Sequence, residues 1–298
     1  MPRSGTSMVT NLCAEMGAYV ENTNVDIVNK KGDWESQEVL DINAKILETL
    51  GGAPFNPPLT LVQRDWSSLR SLNKLRNAAQ RVMERLSQHP VWALKDPKHC
   101  LTMGFWQPLL PRSHTPYYVI CIRNPVSITK SVRLTGWAPV SVPEATKLWY
   151  IYTWNALRYT ENERRLVVFM DDFAEDSEAQ VRRLAGFLGL EHPAPSRSAF
   201  EGGLVHHDHP IKEFLDNPLV PGDAKRLYAF LLEGSRTSLD DAFVHFRSWD
   251  KVHADWYSND PAARKLVRLG MRRLLHTTRL SLPYGRIISS YRGHGRKP

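Results

Sequence analysis

The sequence predicts an α/β fold with a central parallel sheet and helices on both faces. Three observations carry this. The short apolar runs Val91–Leu94, Tyr117–Ile122 and Leu166–Met170 have the length of buried strands, and helical periods separate them. Pro2–Ser7 is small, polar and turn-forming, and leads into an apolar stripe at Met8, Val9, Leu12, Cys13 and Met16 with helical spacing. The charged cluster Lys95-Asp96-Pro97-Lys98 directly follows the first apolar run, where α/β enzymes place ligand groups.

Taken in order, the first helix ends where Gly17 can serve as its C-cap. The loop ahead of it makes an anion site, because free N–H groups and the positive end of the helix dipole point the same way. Arg3 adds a fork of donors suited to phosphate or sulfonate oxygens. Against the P-loop pattern G-x-x-x-x-G-K-[ST], Gly5 is the second glycine and Ser7 the final hydroxyl, but Thr6 replaces the lysine, which points away from NTP cleavage. Such a loop follows a buried strand, and no residue of this sequence precedes Met1. The sheet's first, central strand is therefore expected to be missing from this chain.

Tyr19–Lys31 lacks a period and reads as a loop. Lys30–Glu35 leads into a helix with Val39, Ile42, Ile46, Leu47 and Leu50 on one face, closed by Gly51-Gly52. Pro54–Pro58 is a break, and Leu69–Leu86 reads as a basic amphipathic helix. Further helices are expected over Leu101–Leu110, Val126–Leu134, Glu144–Arg158, Ser177–Leu190, Lys225–Leu232 and Ala262–His276, with Asp171-Asp172-Phe173 as a turn.

Two stretches resemble one family. Pro2-Arg3-Ser4-Gly5-Thr6-Ser7 is similar to the 5′-phosphosulfate loop of sulfotransferases that use 3′-phosphoadenosine 5′-phosphosulfate (PAPS). That family's second signature is an arginine after a strand with a serine eight residues on; here these are Arg123 and Ser131. Supporting matches are Lys31-Gly32-Asp33-Trp34-Glu35 (bacterial "KGYWE", with Asp33 at the aromatic position), Lys95-Asp96-Pro97-Lys98 (Lys98 replacing the usual arginine), Asp171-Asp172-Phe173 ("YEDL") and Phe187-Leu188-Gly189-Leu190 ("FLGL"). The resemblance covers Met1 to Leu190 and implies a P-loop NTPase-like three-layer fold. Domain boundaries are expected at 1–258, with the recognisable core over 1–190, and a basic C-terminal helix and tail over 259–298.

The resemblance implies transfer of a sulfuryl group from PAPS to an acceptor hydroxyl on a carbohydrate or glycolipid, as in glycan and protein-tyrosine sulfotransferases. Arg3, Ser4, Gly5, Thr6 and Ser7 would hold the phosphosulfate, Arg123 and Ser131 the 3′-phosphate, and Arg3 and Lys95 the charge developing during transfer. No metal is required. Glu35 is the first choice of base, with Glu21 and Asp33 as rivals, and Glu35 also reads as a first-turn helix acid contributing about 0.3–1 kcal/mol. Lys98 is a further candidate, and Trp34, Trp106 and Trp137 are read either as sugar-stacking rings or as core. Two rivals stand beside this reading: a P-loop nucleotide-dependent kinase, and a catalytically inactive anion- or nucleotide-binding protein.

Composition fits these expectations. Hydrophobic residues make up 42% and charged residues 23% of 298, ordinary for a globular protein, and no apolar run is long enough for a membrane span. With Cys13, Cys100 and Cys121 scattered through apolar segments, the chain reads as cytoplasmic. The net charge of +8 and pI near 9.4 favour anionic partners: a nucleotide, an acidic glycan, or an anionic membrane touched peripherally by the basic C-terminus. No recognised nucleic-acid motif is present. His206-His207-Asp208-His209 has no matching ligand cluster in the sequence and reads as a solvent-facing or substrate-contacting loop.

Overall fold

A computed structural model describes residues 1–22, 33–55, 57, 66, 68–134, 141–191 and 211–234. These all lie in the unit Met1–Arg247. The expected helix over 262–276, the basic tail, the histidine loop at 206–209 and Trp137 fall outside the described residues.

The first helix, α1, spans Thr6–Glu15 and stops at Gly17, whose φ of 95° suits only glycine comfortably. The next residues correct the expected loop: Tyr19–Val20 form β1 and pair in parallel with β2, Trp92–Ala93. Two residues are too short to carry a period, so only the partner strand defines β1. Between them run α2 (Gln37–Thr49), a 3₁₀ turn at Arg70–Leu72, and α3 (Asn73–Leu86). The basic helix expected from Leu69 thus begins as α-helix four residues later.

After β2 come α4 (His99–Trp106), β3 (Tyr118–Ile122), α5 (Pro125–Leu134) and α6 (Val142–Tyr159). Pro125 opens α5, where its fixed φ suits a first helical turn and its missing N–H goes unused. A capping box starts α6: Ser141 Oγ accepts from the Glu144 N–H, and the Glu144 carboxylate accepts from the Ser141 N–H. The chain then forms β4 (Arg165–Phe169), α7 (Met170–Glu175), α8 (Ser177–Leu188), α9 (Ile211–Asp216) and α10 (Gly222–Gly234). The expected turn at Asp171–Phe173 is therefore helical.

Helices cover both faces of the β3–β4 pair. On one face Val9, Leu12 and Met16 of α1 pack with Val168, Met170, Phe173, Val181, Leu184 and Ala185, and Val119 and Cys121 lie against this cluster. On the other, Phe169 meets the Tyr228 ring of α10 at 5.9 Å, and Tyr228 meets Trp149 of α6 at 5.9 Å. Alternation of side chains along each strand makes the two faces possible. Each of these large buried rings contributes about 1.5–3 kcal/mol by leaving water. The described strands form two separate two-stranded parallel sheets, β1–β2 and β3–β4.

Candidate functional site

Gly5 is the N-cap of α1, and its φ of 79° lies in the left-handed region. A Cβ there would also overlap Met170 Sδ, so glycine is required on two counts. Arg3 has a φ of 67°, which costs a non-glycine residue on the order of 1–3 kcal/mol. No side chain caps α1, which leaves the donors of its first turn for an anion.

Side chains from distant stretches converge on this loop. After β3, Arg123 donates from Nη1 to the Arg3 carbonyl at 3.2 Å. From α5, Ser131 Oγ accepts from Arg3 Nε at 2.9 Å. Burial lowers the Arg123 pKa; Asp171 opposes the shift, and the nearby Arg3 guanidinium adds to it. Two guanidiniums gathered in a partly desolvated place repel each other, and an anion between them would reverse the sign of that interaction. Asn124 beside them is fully buried: its Oδ1 accepts from the Val126 N–H at 2.9 Å, while its Nδ2 has no partner among the described residues.

After β2, Lys95 Nζ donates to Glu35 Oε1 at 2.5 Å, the Asp33 carbonyl at 3.0 Å and Ser7 Oγ at 3.1 Å. Glu35 precedes α2, whose N-cap is Ser36 and whose first-turn acid is Glu38. Its reading as a first-turn helix acid is therefore corrected. The Glu35 carboxyl is pushed above its ordinary 4.5, since the cost of burial outweighs the attraction of Lys95. It is a more basic carboxylate than a surface one.

The rivals are placed differently. Glu21 Oε1 and Oε2 accept from Arg85 at 2.5 and 3.2 Å, and that guanidinium holds the Glu21 carboxyl below its usual range. Asp33 reaches Lys95 through its backbone carbonyl. Lys98 Nζ pairs with Asp96 Oδ2 at 3.1 Å. Trp106 is buried and donates to Asn43 Oδ1 at 2.7 Å, which selects core over sugar stacking for this ring. The half-buried Trp34 donates its backbone N–H to Asn22 Oδ1 at 3.0 Å.

Sequence reasoning missed a buried network behind Lys95. Asn43 Nδ2 donates to Asp96 Oδ2 at 2.8 Å, while Asn43 Oδ1 accepts from Thr102 Oγ1 at 2.7 Å as well as from Trp106. Asp96 Oδ1 in turn accepts from the Lys98 N–H at 2.8 Å. A signal existed: Asn43 stands among Val39, Ile42, Ile46 and Leu47 in the buried stripe of α2, where a polar residue needs partners.

The arrangement can bind an anion at the loop and hold a basic carboxylate against a lysine beside it. Among the described residues no helix is long and apolar enough to cross a membrane. A family model described as "Sulfotransferase family" matches residues 1–194. No curated protein and no solved structure matches the chain.

Proposed function

Because the chain belongs to the sulfotransferase family, we propose that it transfers a sulfuryl group from PAPS to a hydroxyl of a carbohydrate or glycolipid, on a P-loop NTPase-like three-layer fold. The observation that carries this reading is the meeting of Arg3, Arg123 and Ser131 on one side of the Pro2–Ser7 loop and of Lys95, Ser7 and Glu35 on the other.

These residues suit a donor with two anionic ends. Arg123 and Ser131 hold the 3′-phosphate, while Arg3 and the backbone from Ser4 to Ser7 hold the 5′-phosphosulfate. When bound, PAPS supplies the sulfuryl group. Glu35 takes the proton of the acceptor hydroxyl as its oxygen bonds to sulfur. Lys95 neutralises the charge that grows on the bridging oxygen as the sulfur–oxygen bond to the phosphate breaks and 3′,5′-ADP is left. No step uses a metal ion. A cytoplasmic location belongs to the same reading, supported by three cysteines that are all free thiols.

Calorimetric titration with 3′,5′-ADP tests the donor site. Binding is expected for the parent chain, with 5′-AMP much weaker. Arg123→Ala is expected to lose roughly ten- to a hundred-fold in affinity, the contribution of hydrogen bonds to a charged group. A folded chain that ignores 3′,5′-ADP, or binds 5′-AMP equally, sinks the reading. Turnover of PAPS on a panel of oligosaccharides and glycolipids then tests the acceptor class.

A further inference from the structure

An element beyond the residues matched by the family model reaches toward Arg123. The match ends at residue 194, whereas α10 runs from Gly222 to Gly234. Tyr228 of α10 is fully buried, with its ring 4.9 Å from that of Phe214, 5.9 Å from Trp149 and 5.9 Å from Phe169. Three rings leave the phenol little freedom, and burying its oxygen unbonded among them would be costly. The oxygen donates instead to Asp171 Oδ2 at 3.2 Å. Burial first, and the negative charge of Asp171 next, raise the Tyr228 pKa, so the phenol keeps its proton and remains a donor.

Asp171 in turn stands beside Arg123. The last pair of the β3–β4 ladder is Ile122 with Phe169, so Arg123 and Asp171 follow it by one and two residues. They leave adjacent strands, which lie about 5 Å apart in a sheet. The two charges interact: Asp171 raises the Arg123 pKa against the opposing effects of burial and of Arg3.

Arg123 needs such a partner. Its Nη1 donates to the Arg3 carbonyl at 3.2 Å, and Arg3 Nε donates to Ser131 Oγ at 2.9 Å. One bond to a carbonyl leaves a long side chain with other orientations open, and the like-charged Arg3 guanidinium pushes it away. A fixed carboxylate on the β4 side offsets that repulsion and keeps the Arg123 guanidinium against the loop.

We propose that Asp171 is a positioning residue for Arg123, that Tyr228 fixes Asp171 in turn, and that the pair sets selectivity for the 3′-phosphate of the donor. Both act through Arg123 and neither contacts the reacting atoms. Donor recognition thereby extends to α10. The inference rests on the PAPS reading, in which Arg123 holds that phosphate.

Calorimetric titration of the full chain with 3′,5′-ADP and with 5′-AMP reads the ratio of the two affinities, which isolates the 3′-phosphate. Tyr228→Phe keeps the ring and removes the donated hydrogen bond. It is expected to lower the ratio roughly three- to ten-fold, with 5′-AMP affinity kept within about two-fold. Asp171→Asn is expected to lower the ratio roughly ten-fold, in the same sense. On an Arg123→Ala background neither substitution is expected to change the ratio further, since the group they position is gone. A role in packing alone would weaken both nucleotides together, or lower the urea midpoint, and leave the ratio at the parent value; that result overturns the proposal. So does a ratio that rises in Asp171→Asn, which would make the carboxylate a repeller of phosphate, and so does an undiminished effect without Arg123. Should Asp171→Asn fail to fold, the ratio for Tyr228→Phe decides alone. A parent chain with no preference for 3′,5′-ADP removes the donor reading and this inference with it. A parent that discriminates, with variants that discriminate equally, removes the inference alone.

Discussion

Glu35 and Lys95 face each other with side chains about nine-tenths buried, at 11% and 10% exposure, so each governs the other's charge. As the proposed base, Glu35 acts when deprotonated. Its pKa lies above the ordinary 4.5, so the acid limb of kcat/KM is expected above that value, activity rising as pH climbs through it. Glu35→Gln is expected to lower kcat by about 10²–10⁴ and to leave 3′,5′-ADP affinity within a few-fold. A variant with normal kcat would remove Glu35 as base, and one that loses nucleotide binding would recast it as a structural partner of Lys95. Arg123 and Ser131 were legible as a pair through the family resemblance, which supplies the eight-residue spacing. Glu35 was legible only as one of three acids, because the tight ion pair of Glu21 with Arg85 depends on residues 64 positions apart.

At the scale of the element, the loop and the turn after β2 each depend on one residue. Gly5→Ala adds a Cβ that overlaps Met170 Sδ in a backbone conformation disfavoured by about 1–2 kcal/mol for L-residues. Loss of nucleotide binding is expected, measured by calorimetry, and Met170→Ala is expected to relieve the overlap without restoring full affinity, since the backbone strain remains. Asn43→Leu leaves the buried Asp96 carboxylate without its amide donor. A loss of at least about 1–3 kcal/mol is expected in urea unfolding, larger than for Asn→Leu at an exposed site. An unchanged urea midpoint would mean that Lys98 alone satisfies Asp96. Apolar period and capping residues made α1, α2, α6 and α8 readable in advance. The two-residue strand β1 was not, because its only definition is hydrogen bonding to residues more than seventy positions away.

Across the whole molecule, His99 links global stability to pH. Burial lowers its pKa from the ordinary 6.5 to about 4, so the folded chain keeps it neutral while the unfolded chain protonates it. The unfolded state then binds the extra proton as pH falls. Stability is expected to drop between pH 6.5 and about 4, by at most about 1.4 kcal/mol per pH unit from this group, and to level off below. His99→Phe keeps a ring against Trp106, which His99 meets edge-on at 5.4 Å, and is expected to flatten that part of the profile. An unaltered slope in urea midpoints measured from pH 7 to 4 would place the acid sensitivity elsewhere.

The sequence by itself determined the Pro2–Ser7 turn ahead of α1, the positions of β2, β3 and β4, the main helices and the residues that carry the family resemblance. Each of these is a local pattern of period, capping or spacing. Only the tertiary structure decided that Glu35 stands ahead of its helix against Lys95, that Asn43 holds Asp96, and that Tyr19–Val20 pair with Trp92–Ala93. Those facts depend on hydrogen bonds, burial and strand edges contributed by residues far apart in the chain, and no local pattern encodes which distant groups will meet.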